Sequence, residues 1–161
     1  MPLSKLRSFL DSHNIKYLVI SHSLAYTAQG VAALAHVSGK KLAKTVIIKV
    51  DGSLAMAVIP ASLHVDLARI RALSGAKIVE LASEREFKDA FSDCETGAMP
   101  PFGNLYGMKV YADSNLASND EITFSAGSHR ELVRMNWEDL VRMVNPTVDN
   151  LTYQTVSRAA A

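Results

Sequence analysis

The chain has few of the features that mark secreted proteins, membrane-spanning proteins or highly basic nucleic-acid-binding proteins. Its 161 residues include one cysteine, and 17 lysines and arginines are balanced by 16 aspartates and glutamates. The lone Cys94 excludes an intrachain disulfide, and a net charge of +1 excludes a strong overall attraction to nucleic acid or acidic membranes. No apolar run approaches the ~20 residues of a membrane-spanning helix, and the N-terminus lacks a signal-peptide apolar stretch. We therefore expect a soluble, cytoplasmic protein.

The residues that are present have the composition of a globular domain, with 48% hydrophobic and 20% charged residues. A chain of this length can bury one substantial core. We expect a single domain over 1–161, with its core at about 15–145 and a peripheral tail at 147–161. Predicted strands and helices intermix without strict βαβ alternation. This order favours an α/β fold on a strongly curved mixed sheet rather than a doubly wound parallel sheet.

Turn and cap residues divide the chain into its predicted elements. The clearest is a hairpin in which apolar strands at 42–50 and 54–59 flank Asp51-Gly52, a dipeptide suited to a tight turn. Further strands are predicted at 17–20, 77–81, 109–111 and 121–125. Helices are predicted at 4–13 with Ser4 as N-cap, 28–36 after Thr27, 66–73, 84–91 after Ser83, and 137–144 after Asn136.

Lys44 opens the first strand of this hairpin, in the segment AKTVIIKV. Side chains alternate along a strand, so Lys44 shares a face with Val46 and Ile48. If that face lies on a core, the ammonium enters the mouth of an apolar pocket, where it can stabilise a developing oxyanion. A lysine that packs its stem and leaves its head in water is the alternative.

A glycine-proline loop, GAMPPFG at 97–103, is the more specific signal. Gly97 permits unusual backbone angles, and Pro100-Pro101 stiffens the path between the glycines. A stiff turn can hold backbone N–H groups toward a carbonyl oxygen, as ester hydrolysis requires. A plain surface turn is the alternative, since glycine and proline mark turns generally.

The order of these segments resembles the YbaK/ProX family of aminoacyl-tRNA deacylases, freestanding relatives of the editing domain inserted in bacterial prolyl-tRNA synthetase. The resemblance covers about 15–145. It rests on an ordered set of short segments, namely Lys44-Thr45, Asp51-Gly52, 58–61, 97–103, 110–113 and Ala126-Gly127.

The resemblance implies a compact α/β fold around a barrel-like curved mixed sheet, and hydrolysis of an amino acid wrongly esterified to tRNA. It implies no metal and no cofactor. The family's strand lysine falls on Lys44, which would contact the 3′-terminal nucleotide. Its GxxxP loop falls on Gly97, Ala98, Met99, Pro100 and Pro101, whose backbone amides would cradle the scissile carbonyl. The expected partner is the CCA end of mischarged tRNA, and a synthetase or elongation factor for tighter capture.

Other candidates for the pocket carry weaker signals. His22, Tyr26 and Thr27 fall where relatives often place a histidine and a threonine, although Thr27 is also explained as an N-cap. Asp113 is a candidate to orient Lys44 or bind ribose, and equally a turn former. The remaining predicted substrate contacts are Val46, Met56, Phe102, Gly127, Ser128 and His129, with Met99 as a determinant of pocket size.

Several other chemistries find no support in the residue pattern. Cys94 lacks a partner histidine assignable by motif, so we expect a small buried hydrophobe rather than a nucleophile. The five histidines show no metal-binding spacing. We expect trans-editing of tRNA carrying alanine, serine, threonine or cysteine. A non-catalytic binding module of the same fold, and a small-molecule ester or thioester hydrolase, are the alternatives.

Overall fold

The computed structural model describes residues 3–23, 30 and 40–153. The described helices are α1 Ser4–Ser12, α2 Leu67–Ser74, α3 Glu84–Phe87 and α4 Trp137–Val144. The strands are β1 Tyr17–Ser21, β2 Leu42–Val50, β3 Ser53–Pro60, β4 His64–Val65, β5 Val79–Leu81, β6 Lys109–Asp113, β7 Glu121–Ser125, β8 Glu131–Asn136, β9 Thr147–Asp149 and β10 Thr152–Tyr153. Short 3-10 helices occupy Lys88–Phe91, Gly103–Leu105 and Ser114–Ser118.

Eight of these strands form one mixed sheet in the order β1-β8-β7-β2-β3-β6-β9, with β5 also paired to β2. The β2–β7, β3–β6 and β6–β9 pairs are parallel, and the other pairs in this sheet are antiparallel. The mixed α/β architecture expected from the sequence is confirmed. No described helix has the length and apolarity to cross a membrane.

The β2–β3 hairpin is buried on both faces, which explains why both of its arms are nearly continuous apolar runs. One face contributes Ala43, Ile47 and Met56 to a large core that also holds Leu6, Leu10 and Trp137. The other face contributes Ile48, Ala57 and Ile59 to a smaller core with Ile70, Tyr111 and Leu151. At the hairpin's tip Asp51 and Gly52 have φ values of 48° and 84°, the left-handed conformation expected of this turn.

Several predicted elements have the expected bounds and caps. The strand Glu121–Ser125 and the helix Trp137–Val144 match their predictions, and the Asn136 side chain accepts a hydrogen bond from the backbone N–H of Glu138. Ser83 forms a capping box with Glu86 at the start of α3. The predicted helix at 84–91 is α-helical only to Phe87 and continues as a 3-10 helix. The predicted helix at 28–36 with its Thr27 cap lies outside the described residues.

Two predictions are wrong. Ser4 does not cap α1, because the N-cap position is Leu3 and no side chain caps the helix. The tail is not peripheral over 147–153, since β9 extends the main sheet beside β6 and Leu151 is fully buried. The strands β4, β8, β9 and β10 were not expected from the sequence. Short strands such as β9 and β10 are set by their partners rather than by their own residues.

Candidate functional site

Lys44 lies where two parallel strands diverge. The strands β2 and β7 pair only at Leu42↔Thr123 and Ala43↔Phe124. Beyond Ala43, β2 has β3 on one side and meets β5 on the other only from Ile48 onward. Lys44 is therefore the first residue of β2 past the β2–β7 pairing, at an interruption in the ladder where a ligand can approach the sheet.

The Lys44 ammonium is half-buried and has no ion-pair or hydrogen-bond partner in the part of the chain that the structure describes. Burial lowers the pKa of this amine from its usual range, because desolvation disfavours the charged form. Folded proteins rarely leave a lysine partly desolvated without a partner. The observation supports a ligand-binding role over the alternative of a lysine head held in water.

The Gly97–Pro101 loop is fixed by main-chain hydrogen bonds to the turn that follows β7. The Gly127 N–H donates to the Ala98 carbonyl at 2.9 Å, and the Glu95 N–H donates to the Gly127 carbonyl at 2.8 Å. Gly97 has a φ of +87° and Gly127 a φ of +100°, so both positions favour glycine. Gly127, predicted as a substrate contact, thus acts here as the support of the loop.

His129 fastens the same loop from the other side. Its ring Nε2 lies 2.7 Å from the Thr96 carbonyl oxygen, which can only accept, so Nε2 carries the proton in this contact. Its backbone N–H donates to Glu95 Oε2 at 3.0 Å, and Ser128 accepts a hydrogen bond from the Arg130 N–H within the turn. His129 is 8% exposed, which makes it a buried positioning residue. Glu95 was not identified from the sequence, and no motif marks it.

Within Gly97–Pro101, one backbone donor has no acceptor in the described part of the chain. The Gly97 N–H points to the Met99 sulfur at 3.3 Å, and the Ala98 N–H donates to the Glu95 carbonyl at 3.0 Å. Pro100 and Pro101 have no N–H to donate. The Met99 N–H, between Ala98 and Pro100, has no hydrogen-bond partner among the described residues. An unused donor on a braced loop is suited to a developing oxyanion.

Lys44 and the loop border the same divergence of β2 and β7. The loop reaches it through the turn after β7, and Lys44 through β2 itself. The Lys44 and Met99 side chains nevertheless lie toward opposite faces of β2. Met99 packs in the large core with Ala43, whereas Lys44 alternates with Ala43 and shares its face with Ile48 of the smaller core. Convergence of the ammonium and the loop amides in one cavity therefore remains a prediction.

Other predicted contacts are placed less favourably. Val46 packs with the smaller core and Met56 is fully buried in the large one, so the two do not line one pocket as predicted. Phe102 is also fully buried, with its ring centroid 6.0 Å from that of Phe9 and 5.6 Å from that of Phe124. Met56 and Phe102 therefore contribute to the large core, and Val46 packs against the smaller one.

Asp113 serves as a structural clamp. Its side chain is fully buried, and one oxygen accepts from the Asn115 backbone and side-chain nitrogens at 3.3 and 2.8 Å. The other accepts from the Leu151 N–H at 2.8 Å. With both oxygens engaged, Asp113 does not pair with Lys44. The turn-forming alternative is the one that the structure supports.

His22 directly follows β1, and one of its ring nitrogens is unsatisfied within the described residues. Its Nδ1 lies 2.6 Å from the Ser23 carbonyl oxygen, while Nε2 is buried with no hydrogen-bond partner among the described residues. His22 thus remains a candidate for the pocket. Tyr26 and Thr27 lie outside the described residues.

Cys94 has the environment of an unreactive thiol. Burial raises its pKa to about 11, and its sulfur lies 3.3 Å from the Tyr106 hydroxyl. The thiolate, which is the nucleophile, is therefore scarce at neutral pH. The described residues contain no group of three or more histidine, cysteine, aspartate or glutamate side chains arranged to hold a metal ion.

Comparison with known proteins defines the class. A model of the aminoacyl-tRNA editing domain matches residues 22–143. The chain is 27% identical over 151 residues to the multifunctional Ser/Thr-tRNA deacylase ProXp-y of Escherichia coli K12, covering 91% of this chain and 90% of that protein. It is 31% identical over 88 residues to the proline–tRNA ligase of Bacillus mycoides, of which it covers only 15%.

Solved structures share the fold. A hypothetical protein, APE2540, superposes with a TM-score of 0.84 at 20% identity, covering 93% of this chain and 100% of that one. A protein proposed to be a trans-editing enzyme for prolyl tRNA synthetase has a TM-score of 0.78 at 18% identity, covering 92% and 95%. The family model and the deacylase relative together support hydrolysis of aminoacyl-tRNA as the activity. The chain belongs to the aminoacyl-tRNA editing domain family.

Proposed function

We propose that this chain deacylates mischarged tRNA that carries a small amino acid, namely alanine, serine, threonine or cysteine. Water adds to the ester carbonyl carbon, and the carbonyl oxygen becomes an oxyanion. The intermediate then collapses, and the 3′-terminal ribose oxygen leaves with a proton. The products are a free amino acid and an uncharged tRNA.

The observation that carries the proposal is the half-buried Lys44 ammonium, which has no partner among the described residues. A phosphate or an oxyanion near this amine restores the interactions that burial removes, and it holds the amine in its charged form. Lys44 then acts as an electrostatic anchor rather than as a general base. Water is activated by the substrate's own ribose hydroxyl, which fits a site without an acid-base triad.

The Gly97–Pro101 loop supplies the second half of the oxyanion site. The Met99 N–H is the donor that the described protein leaves unused. Because the loop is tied to Gly127 and His129, this donor is already in place before substrate binds. Preorganised donors of this kind reduce the reorganisation that the transition state requires.

The biological need sets the expected size of the substrate. A synthetase pocket discriminates a single methylene by only about 1–3 kcal/mol, so a second site that admits small wrong amino acids restores accuracy. Serine and threonine are further supported by the name of the E. coli relative, a Ser/Thr-tRNA deacylase. We propose that this chain acts in trans on released tRNA, with contact limited to the CCA end. A synthetase or elongation factor is the proposed partner for capture.

The test is a deacylation panel with alanyl-, seryl-, threonyl-, cysteinyl- and prolyl-tRNA, each measured against its spontaneous hydrolysis. We expect enzymatic release of one or more of the small amino acids. Binding of every aminoacyl-tRNA without turnover would instead indicate a binding module. Faster turnover of simple aminoacyl esters than of any aminoacyl-tRNA would indicate a small-molecule esterase.

A further inference from the structure

A polar cavity of about 470 Å³ lies beside the residues that begin β2 and end β3. Cavities of roughly 300–1,000 Å³ commonly hold small ligands. Its lining includes Lys40, four residues before Lys44, and Pro60, which pairs with Ala43 next to the Lys44↔Ile59 pair. The cavity thus adjoins the end of the hairpin that carries Lys44.

Part of the cavity wall is next in sequence to a residue of the smaller core. Asn150 and Thr152 line the cavity on either side of Leu151, and Leu151 packs with Ile48 and Ile59 in the smaller core. Lys44 shares its face of β2 with Ile48. The strand register thus places the cavity beside the end of β2 that carries Lys44.

Among the described residues, the lining carries amides and hydroxyls, one lysine and no acidic side chain. The Asn150 Oδ1 accepts from the Thr152 N–H at 3.2 Å, while the Asn150 Nδ2 has no partner in the described part of the chain. The Asn115 Nδ2 donates to Asp113 at 2.8 Å, which fixes the amide, and its Oδ1 accepts no hydrogen bond from the described residues. Ser62 likewise forms no side-chain hydrogen bond within the described residues. These groups can bind the edge of a base and a ribose.

An aromatic ring completes the lining. Tyr153 is 53% exposed, and its ring is stacked against His64 with ring centroids 5.6 Å apart. The contact with His64 holds the ring in place while leaving much of its surface accessible. Proteins that bind single-stranded nucleic acid combine such aromatic platforms with nearby cations.

We propose that this cavity binds a nucleotide of single-stranded RNA adjoining the esterified terminal nucleotide of the substrate. The base stacks on Tyr153, the Asn150 amide donates to the base or ribose, and Lys40 attracts the phosphate. The inference rests on the proposed deacylase function, because that function places an RNA end at Lys44. It assigns the capture of RNA to residues that do not take part in the hydrolysis.

The test measures binding of a 5′-fluorescein-labelled tetraribonucleotide, ACCA, by fluorescence anisotropy at low salt. Tyr153→Ala is expected to weaken binding by about five- to a hundredfold, the range for loss of one stacked base. Tyr153→Phe retains the ring and is expected to bind like the unaltered protein. Asn150→Asp retains the acceptor for the Thr152 N–H but replaces the free donor with a negative charge, and should also weaken binding.

Ile78→Ala is the surface control, because Ile78 is 62% exposed and does not line the cavity. Equal affinity of all four variants for ACCA overturns the inference, even if the deacylation panel succeeds. Displacement of ACCA by cytidine monophosphate at matched concentration also overturns it, since the cavity would then hold a free nucleotide. Selective loss in Tyr153→Ala and Asn150→Asp supports it, even if no aminoacyl-tRNA in the panel is hydrolysed.

A second readout connects the cavity to turnover. In Tyr153→Ala, the KM for a mischarged tRNA that is hydrolysed is expected to rise by the same factor as the ACCA dissociation constant, with kcat unchanged. The KM for the matching 3′-aminoacyl-adenosine, which lacks the adjoining nucleotide, should not change. A rise in KM for both substrates would place the effect at Lys44 instead and contradict the inference.

Discussion

Two lysines on the same strand are treated in opposite ways by this fold. Lys49, toward the hairpin turn, pairs with Glu80 at 3.1 Å and with Glu86, and these carboxylates raise its pKa. Lys44, five residues earlier, is half-buried without a partner among the described residues, and burial lowers its pKa. A lysine whose charge the protein neutralises itself is part of the scaffold. A partly desolvated lysine without a partner among the described residues is a candidate for ligand binding.

The largest expected difference comes from removing each charge in turn. Lys44→Ala should reduce kcat for deacylation by about 10²–10³, the loss typical of one oxyanion-stabilising group. Its thermal stability should be unchanged or higher, because an unpaired buried charge is removed. Lys49→Ala is the matched control on the same strand, and it should retain activity while losing a little stability. Equal activity of the two variants would remove the basis of the comparison.

The loop is expected to be the next most sensitive element. Gly97 has a φ of +87°, and an added Cβ would lie 3.4 Å from Cε1 of His129. Gly97→Ala must therefore adopt a left-handed conformation that costs about 1–2 kcal/mol, or move the loop. We expect kcat to fall about ten- to a hundredfold, since small displacements of catalytic groups are expensive. Gly75→Ala, also at positive φ but on a helix end with open space around it, should lose stability without losing activity.

A smaller effect is expected at His129, which holds the loop through the Thr96 carbonyl. His129→Ala leaves that carbonyl without its donor, and we expect kcat to fall about tenfold with little change in KM. A split of this kind identifies a positioning residue, because loss of a substrate contact would raise KM as well. A rise in KM alone would show that His129 touches the tRNA, as the sequence analysis proposed.

The pH dependence should distinguish the two lysines further. The lowered pKa of Lys44 means that kcat/KM, corrected for spontaneous hydrolysis, declines at alkaline pH earlier than an ordinary lysine would allow. The unfolded chain binds this proton more tightly than the folded one, so stability should rise with pH between the folded and unfolded pKa values. Lys44→Arg keeps its charge at these pH values and should show no such decline in its residual activity. An unchanged alkaline limb in Lys44→Arg would assign that limb to another group.

The smallest effect is expected at Cys94, which is near the loop in sequence but is not a nucleophile. With its pKa raised to about 11, the thiol is protonated at neutral pH. Cys94→Ala should keep deacylation within about twofold of the unaltered protein, since no thiolate is required. Loss of turnover in Cys94→Ala would contradict this prediction.

The parts of the fold that the sequence predicted well are those decided by local chemistry. The Asp51-Gly52 turn, the Ser83 capping box and the Asn136 cap each depend on residues a few positions apart. Tertiary pairing decided the rest. The strand β9 pairs with the edge of β6. Leu151 packs in the smaller core, and its N–H donates to the Asp113 carboxylate. A single sequence carries little signal of such distant partners.

The candidate site likewise contains residues that the sequence identified and contacts that it did not. Lys44 and Gly97 were identified from residue type, backbone freedom and family resemblance. The hydrogen bonds that link Glu95, Ala98, Gly127 and His129 depend on two segments about thirty residues apart meeting in space, and no motif announces them. Asp113, at the end of a predicted strand, and Phe102, in the 97–103 segment, were both predicted as substrate contacts. The structure instead gives both of them packing or hydrogen-bonding roles within the protein.

The central claim is that the Lys44 ammonium and the Met99 backbone N–H act on one substrate. The claim is demanding because Met99 packs on the Ala43 face of β2, whereas Lys44 is on the opposite face. The direct test is an NMR titration with a non-hydrolysable amide analogue of 3′-alanyl-adenosine, observing the lysine Nζ and backbone amide resonances together. We predict that Lys44 Nζ and the Met99 amide shift with the same midpoint, and that Lys44→Ala weakens the response of Met99. If one of the two shifts while the other stays constant at saturation, the two groups do not form a single site.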